Sequence, residues 1–345
     1  MSATKDTSNG PEKYHVYDNP RPVKRLKVDA KGPRRWLIFG GGTGWVGKMI
    51  VDLLSSGEEQ VFAATSRLEN RKDIIAEFES LHPTHVVNAA GLTGRPNVDW
   101  CELHKQDTVR VNVMGTLNLV DICFQHGVHL TNCATGCIYH YHEKPEGEEA
   151  RGNESVIYEG SNRGFKETDA PNFIGSYYSK TKAIVEDLLV SAGYLENVLN
   201  LRFRMPISED LHHRSLLTKL IKYEKVVNIK NSITVLPNML PVMIELAKHG
   251  KVGIFNFTSP GAVSHNELLS MFKESIDADF TWTNFTLEEQ NKVILAKRSN
   301  NELDSTKLIA ACKEVGAELL PVHEALKELF QTMKKNGVVP LKREK

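Results

Sequence analysis

Short apolar runs alternate with amphipathic stretches from about residue 36 to residue 205. Trp36–Phe39 is the first of these runs and reads as a buried strand. A glycine-rich turn follows it, and the pattern from Trp45 to Leu54 has the period of an amphipathic helix. Gln60–Thr65, the run beginning at His85, Val128–Ala134 and Asn197–Phe203 read as further strands. Helices are expected over about Lys105–His126 and from near Gly175. This alternation predicts an α/β fold built on a Rossmann-type doubly wound parallel sheet. After Pro206 the period becomes irregular, which predicts a smaller C-terminal lobe laid over the carboxyl edge of the sheet. Within it, Ile254–Phe257 reads as a strand returning to the sheet and Ala317–Lys334 as a helix. The expected division is a nucleotide-binding domain over 34–205, a lobe over 206–335 and a frayed tail over 336–345, with no internal repeat.

Two stretches lack this periodicity. Residues 1–33 are polar and rich in Pro, Lys and Arg, and read as a disordered basic tail. Residues 142–166 are Glu- and Gly-rich and too long for an ordinary connection, so they read as a flexible surface insert or as a lid. Lysines plus arginines balance acids at 43 each, so no global field points to nucleic acid or to a membrane surface. No apolar run is long enough to span a bilayer, and no signal-peptide pattern is found. The five cysteines are odd in number and fall mostly within expected core elements. They read as reduced thiols of a cytoplasmic protein, and no metal-ligand spacing is seen.

The turn after the first strand places Gly41, Gly44 and Gly47 on the spacing G-x-x-G-x-x-G. Backbone N–H groups approach a diphosphate closely only where no Cβ intervenes, and the helix N-terminus behind the turn adds positive potential. Gly41, Thr43, Gly44, Trp45, Val46 and Gly47 are therefore the candidate dinucleotide cradle. The second strand ends in Ser66-Arg67, with no acid to grip a ribose 2′-hydroxyl. Arginine suits a 2′-phosphate, so NADPH is favoured over NADH, which stays possible, and Arg71 is a second candidate for that phosphate. Asn88, Ala89 and Ala90, at the end of the next strand, leave room for a nicotinamide–ribose.

Thr135 ends a central strand, and Tyr178 and Lys182 stand one turn apart on a later helix. A lysine ammonium there is expected to lower the phenol toward phenolate, while Thr135 orients the same substrate oxygen. Together the three suit proton delivery to a carbonyl oxygen while a nicotinamide hydride reaches its carbon.

This order of motifs resembles the extended short-chain dehydrogenase/reductase superfamily. The stretch from Ala89 to Glu102, with Asn132–Cys137, Gly175–Lys182 and Leu201–Ser208, further resembles the nucleotide-rhamnose synthase/epimerase-reductase family and dTDP-4-dehydrorhamnose reductase. Tyr223–Ile229, Val263–Glu267 and Arg298–Asp304 match as well, so the likeness covers about 36–330. The resemblance implies a UDP- or dTDP-linked 4-keto-6-deoxyglucose substrate, inverted at carbons 3 and 5 and reduced at carbon 4 to the L-rhamnose form. By the same resemblance Cys137 and Lys219 are candidates for the epimerising acid and base, and Cys137 shares a strand face with Thr135. A free thiol titrates near about 8.5, so Cys137 would need a nearby cation such as a lysine. Arg95, Asn112, Asn172, Arg298, Asn300 and Asn301 are the substrate-binding candidates. The superfamily analogy implies a homodimer through the helices near 105–126 and 176–192. A reductase working with a separate epimerase, and a non-catalytic regulatory subunit, stay open alternatives.

Overall fold

The computed structural model describes residues 33–143, 157–158, 160–161 and 163–338. The basic tail up to residue 32, most of the insert and residues 339–345 lie outside that description.

Six parallel strands form the central sheet: β1 (Arg35–Phe39), β2 (Gln60–Ala63), β3 (His85–Asn88), β4 (His129–Thr135), β5 (Val198–Phe203) and, later in the chain, β8 (Gly253–Phe257). Their spatial order is β2-β1-β3-β4-β5-β8, so the winding direction reverses between β1 and β3. A crevice opens at such a switch point, at the carboxyl ends of the strands, and the glycine turn leaves β1 there. Helices α1 (Trp45–Ser55), α2 (Arg71–Leu81), α3 (Asp99–Leu103), α4 (Lys105–Val109), α5 (Thr116–His126) and α6 (Tyr177–Ser191) connect the first five strands. The single helix expected over 105–126 widens between α4 and α5, where Arg110–Gly115 forms a π-turn.

The lobe contributes α7 (Leu216–Lys222), the two-residue strands β6 (Lys225–Val226) and β7 (Lys230–Asn231), and α8 (Leu236–Lys248) before β8. After β8 come β9 (Val263–Ser264), α9 (His265–Ser275), β10 (Thr283–Asn284), α10 (Leu287–Val293), α11 (Thr306–Val315) and α12 (Val322–Lys335). Its packing does not follow one cut in the sequence. Helices α8 and α11 bury their apolar faces against β5, β8 and α1, whereas α7, α9 and α12 close a second core around Leu217, Phe272 and Phe330.

Two expectations are corrected. The terminal helix begins at Val322 rather than near Ala317, because Pro321 occupies its N-cap. The described ends of the 142–166 stretch are packed rather than free. His142 pairs with Tyr158, while Ile157 and Phe165 are buried with Ile138, Tyr139 and Leu303. Those apolar residues are too widely spaced to give a period.

The strands that read as apolar also carry a buried polar chain across the sheet. Asn88, Asn132 and Asn200 are registered partners on β3, β4 and β5. Asn88 donates to Asn132 at 3.0 Å and Asn132 to Asn200 at 2.7 Å. Asn200 then donates to Glu186 of α6 at 3.1 Å. Glu186 pairs with Arg202 at 2.7 Å, and Arg202 reaches Asn256 of β8 at 3.1 Å. Arg202 also donates to the carbonyls of Lys166 and Glu167, which ties the end of the insert to the sheet. Burial pushes the Arg202 guanidinium down, but Glu186 outweighs it and holds the charge. Breaking such a pair from one side leaves an uncompensated charge in the core. Glu186→Ala is therefore expected to lower unfolding free energy by about 3–5 kcal/mol in urea denaturation. A loss below about 1 kcal/mol, the scale of an exposed pair, would remove the pair from this role.

Candidate active site

The glycine turn is packed by its own backbone. A Cβ at Gly44 would stand 2.6 Å from the Gly40 carbonyl oxygen, and one at Gly47 would strike the same atom. A Cβ at Gly41 would meet Val51 at 2.9 Å. These three glycines thus close the turn against strand and helix. Gly42 is the one that faces open space, with no atom within 4 Å of a Cβ built there. Gly42 and Thr43 form the exposed tip. Helix α1 starts at Trp45 with no side-chain cap, so the first-turn N–H groups of Trp45, Val46 and Gly47 need an acceptor from outside the helix. An anion at the tip would supply it, and the cradle fits a dinucleotide diphosphate. Trp45 itself is only 8% exposed. Its ring stacks on His212 at 4.9 Å and its indole N–H donates to Asp210 at 3.3 Å, which ties the turn to the lobe.

Beside the turn, Asn88 is wholly buried and accepts the Ala90 N–H at 3.2 Å, so it shapes the small-residue loop and does not face the crevice. At the end of β2, Glu77 accepts the N–H groups of Thr65 and Ser66 and draws those residues out of the sheet. Strand β2 ends at Ala63 for this reason, short of the expected Thr65. Arg67 is exposed just beyond and forms no ion pair among the described residues. Arg71 is committed elsewhere, to Asp121 at 2.5 Å and to the Asn118 carbonyl.

Tyr178, Lys182 and Glu186 recur every fourth residue on one face of α6, and this face lies on β4 and β5. Ser176 caps the helix by accepting the Ser179 N–H at 3.1 Å, and Glu102 of α3 accepts the Tyr177 N–H at 2.6 Å. The start of α6 is therefore clamped next to Tyr178. The Tyr178 phenol lies beside Thr135 and within electrostatic reach of Cys137. The expected lowering of this phenol is not found. Burial and Cys137 raise Tyr178, and the hydrogen bond to Thr135 only partly offsets them. Lys182 is itself pushed down by burial, partly offset by Cys133, whose thiol burial pushes up to about 12. A phenol that keeps its proton suits an acid that donates to a carbonyl oxygen.

Cys137 follows Thr135 at the mouth of the sheet, and its N–H donates to Thr135 Oγ1 at 3.1 Å. Lys219 stands on α7 of the lobe, within electrostatic reach of Arg214 and Arg298. Burial, then the charges of Arg214 and Arg298, push it below the usual lysine range. Arg95, His213 and Lys222 belong to the same electrostatic neighbourhood. Arg298 is anchored to Asp99 at 2.7 Å, and that bond, against the effect of burial, holds the carboxyl below its ordinary value. The site is thus a cationic shelf beside a proton-bearing phenol. Among the described residues no cluster of His, Cys, Asp or Glu is arranged to hold a metal ion.

Several polar residues expected at the substrate build the frame instead. Asn112, turned by the π-turn, donates to the Leu92 carbonyl and accepts its N–H at 2.7 Å. Asn172 does the same for the backbone of His140. Asn301 is fully buried and donates to the carbonyls of Gly136 and Tyr139. Asn300 is half-buried and accepts from Asn231 at 3.3 Å. Their amides are spent on main chain and neighbours, which no residue pattern announces. Arg204, Arg214 and His213 escaped the sequence reading. Arg204 follows an apolar strand directly, and the basic spacing Arg214, Lys219, Lys222 was the available signal for the others.

Residues 37–223 match the NAD dependent epimerase/dehydratase family. A bifunctional dTDP-4-dehydrorhamnose 3,5-epimerase/dTDP-4-dehydrorhamnose reductase of Arabidopsis thaliana is 52% identical over 319 residues, 91% of this chain and 99% of that protein. A trifunctional UDP-glucose 4,6-dehydratase/UDP-4-keto-6-deoxy-D-glucose 3,5-epimerase/UDP-4-keto-L-rhamnose-reductase of the same plant is 48% identical over 88% of this chain. The chain spans 43% of that longer enzyme. The crystal structure of a UDP-rhamnose synthase from Acanthamoeba polyphaga mimivirus is similar at a TM-score of 0.76 and 35% identity, over 87% of this chain and 99% of that one.

A lysine lowered by burial and by like charges becomes a neutral amine at lower pH than an exposed one. Acylation followed by peptide mass spectrometry across pH is expected to show Lys219 reacting before the exposed lysines of the chain. Arg214→Gln is expected to move the Lys219 profile part of the way back up. A Lys219 profile that coincides with those of the exposed lysines would contradict this electrostatic picture.

Proposed function

The chain belongs to the NAD dependent epimerase/dehydratase family, within its nucleotide-rhamnose synthase/epimerase-reductase group, and we propose that it is an NADPH-dependent 3,5-epimerase and 4-reductase of a UDP- or dTDP-linked 4-keto-6-deoxyhexose. The observation that supports this reading is the closeness of Thr135 and Cys137 to the Tyr178 phenol, and Lys219, pressed by Arg214 and Arg298, is the proposed partner from the lobe. A ketone oxygen set between Tyr178 and Thr135 receives hydrogen bonds in both halves of the chemistry. While carbons 3 and 5 exchange protons, those donors stabilise the enolate oxygen. In reduction the bound nicotinamide supplies the hydride to carbon 4, and Tyr178, kept protonated by burial, delivers the proton to the oxygen. Arg95, Arg214 and Arg298 would receive the substrate diphosphate, for which arginine's planar fork is suited. The plant relative of matching length, named for both activities, supports the bifunctional reading.

Arg67, exposed at the end of β2 and without an ion pair among the described residues, supports NADPH over NADH. Exposed Met114, Ile184 and Leu188 support packing of a second copy against the face formed by the π-turn before α5 and by α6. The five free thiols support a cytoplasmic setting. No helix among the described residues is long and apolar enough to cross a membrane.

Purified protein mixed with NADPH and the nucleotide-linked 4-keto-6-deoxyglucose in heavy water tests the whole reading. A nucleotide-L-rhamnose labelled at carbons 3 and 5, seen by NMR with no other enzyme present, is the expected product. Turnover only after a separate epimerase is added would leave a reductase alone. Tyr178→Phe is expected to abolish reduction while leaving cofactor binding nearly intact. Arg67→Ala is expected to raise KM for NADPH about tenfold, the loss of about 1.4 kcal/mol, with little change for NADH. Equal effects on the two cofactors would remove Arg67 from the 2′-phosphate.

A further inference from the structure

Among the described residues, no carboxylate pairs with the Arg204 guanidinium. Its side chain is 0% exposed. Nε donates to the Ser232 carbonyl at 3.2 Å, and Nη2 to the Ser299 carbonyl at 2.9 Å and to Asn231 Oδ1. Nη1 donates to Ser299 Oγ at 3.4 Å and points at Cys137 Sγ, 3.8 Å away. Arg202, two residues earlier and equally buried, has Glu186 at 2.7 Å. A buried guanidinium surrounded by neutral acceptors alone is costly by several kcal/mol, so a nearby group able to become an anion has reason to do so.

Among the described residues, the titratable groups that face Arg204 are Cys137, Tyr141 and His265. Tyr141 donates its hydroxyl proton to the Arg163 carbonyl at 3.1 Å and accepts the Glu302 N–H at 3.3 Å, and burial raises it, so it stays neutral. Burial, with some repulsion from Arg204, drives His265 down to about 4, so it adds no charge at neutral pH. Cys137 is the one that can answer. Tyr178, which also faces it, is kept neutral by burial. The backbone has been cleared for this contact. A Cβ at Gly136 would stand 2.5 Å from Leu303 and 3.2 Å from the Arg204 stem, so glycine lets that stem run beside the loop to the thiol.

We propose that Arg204 is the positioning residue that holds Cys137 as a thiolate, ready to take a proton from the sugar ring. This deepens the epimerase part of the reading above and rests on it for the identity of the carbon acid. In that step the S–H bond forms as the C–H bond beside the ketone breaks, and the electron pair moves onto the carbonyl oxygen held by Tyr178 and Thr135. The Lys219 ammonium then returns a proton to the opposite face of the carbon and is left as an amine. The thiol proton passes back to that amine through solvent, which restores both groups.

The test is alkylation of Cys137 in the full chain, followed by peptide mass spectrometry as a function of pH. Arg204→Met is expected to displace the Cys137 profile to higher pH and cut its rate at neutral pH at least tenfold, with Arg204→Lys partly restoring it. The same variant should lose deuterium incorporation at carbons 3 and 5 by more than tenfold, while reduction of an already epimerised 4-keto-rhamnose nucleotide stays within about threefold. An unmoved alkylation profile in a folded Arg204→Met protein would overturn the proposal. Should that variant not fold, the ultraviolet thiolate absorbance of the wild type minus Cys137→Ala decides: a difference at neutral pH is expected, and its absence would be fatal. Neither readout needs the substrate. A displaced profile without ring exchange would sink the epimerase reading and leave the ion pair standing.

Discussion

The ion pair between Arg202 and Glu186 is the constraint on which the rest of this molecule depends. A charge sealed inside a parallel sheet has to be matched in place, because neither partner can reach water. Arg202 sits on β5 and Glu186 on α6, so the pair fixes that helix against that strand. The same helical face carries Tyr178 and Lys182 two turns and one turn earlier. Matching the buried charge therefore also sets the height at which the phenol meets Thr135 at the end of β4. The asparagine relay continues the constraint sideways, since Asn88, Asn132 and Asn200 bond each other only when three neighbouring strands keep their register.

The site then divides its labour by burial. Groups on the sheet side are dry and are pushed toward their neutral forms: Tyr178 and Cys133 are raised by burial, and Lys182 is lowered. Groups on the lobe side form a cationic shelf in which Lys219 is pressed by Arg214 and Arg298. A ketone between the two sides meets proton donors on one and positive potential on the other. Both favour negative charge on its oxygen.

How far the sequence could be read follows from what periodicity records. The strands, the glycine turn and the α6 motif were legible, because spacing alone places them on a common edge. The buried relay was not, since one asparagine per strand does not disturb an apolar run. The internal hydrogen bonds of Asn112, Asn172 and Asn301 were hidden for a related reason. A polar residue near a site looks the same in a sequence whether its amide faces a ligand or, as here, a backbone carbonyl. The direction of the Tyr178 shift also escaped: a lysine one turn away suggested lowering, whereas in the packed structure burial and Cys137 raise the phenol and Thr135 opposes them. Arg204 directly follows the strand that carries Arg202, and nothing local says that, among the described residues, one has a carboxylate and the other has none.

The stack of Trp45 on His212 makes the first residue of the cofactor helix part of the lobe as well. Asp210 fastens the same ring and accepts the His212 N–H at 3.0 Å, so the segment 208–212 is shaped around that indole. Grafting the glycine turn of a relative into this chain, or its lobe onto another sheet, would separate a ring from the socket moulded to it. For chimaeric enzymes built on this scaffold, residue 45 and residues 208–212 form one exchange unit, although they lie far apart along the chain.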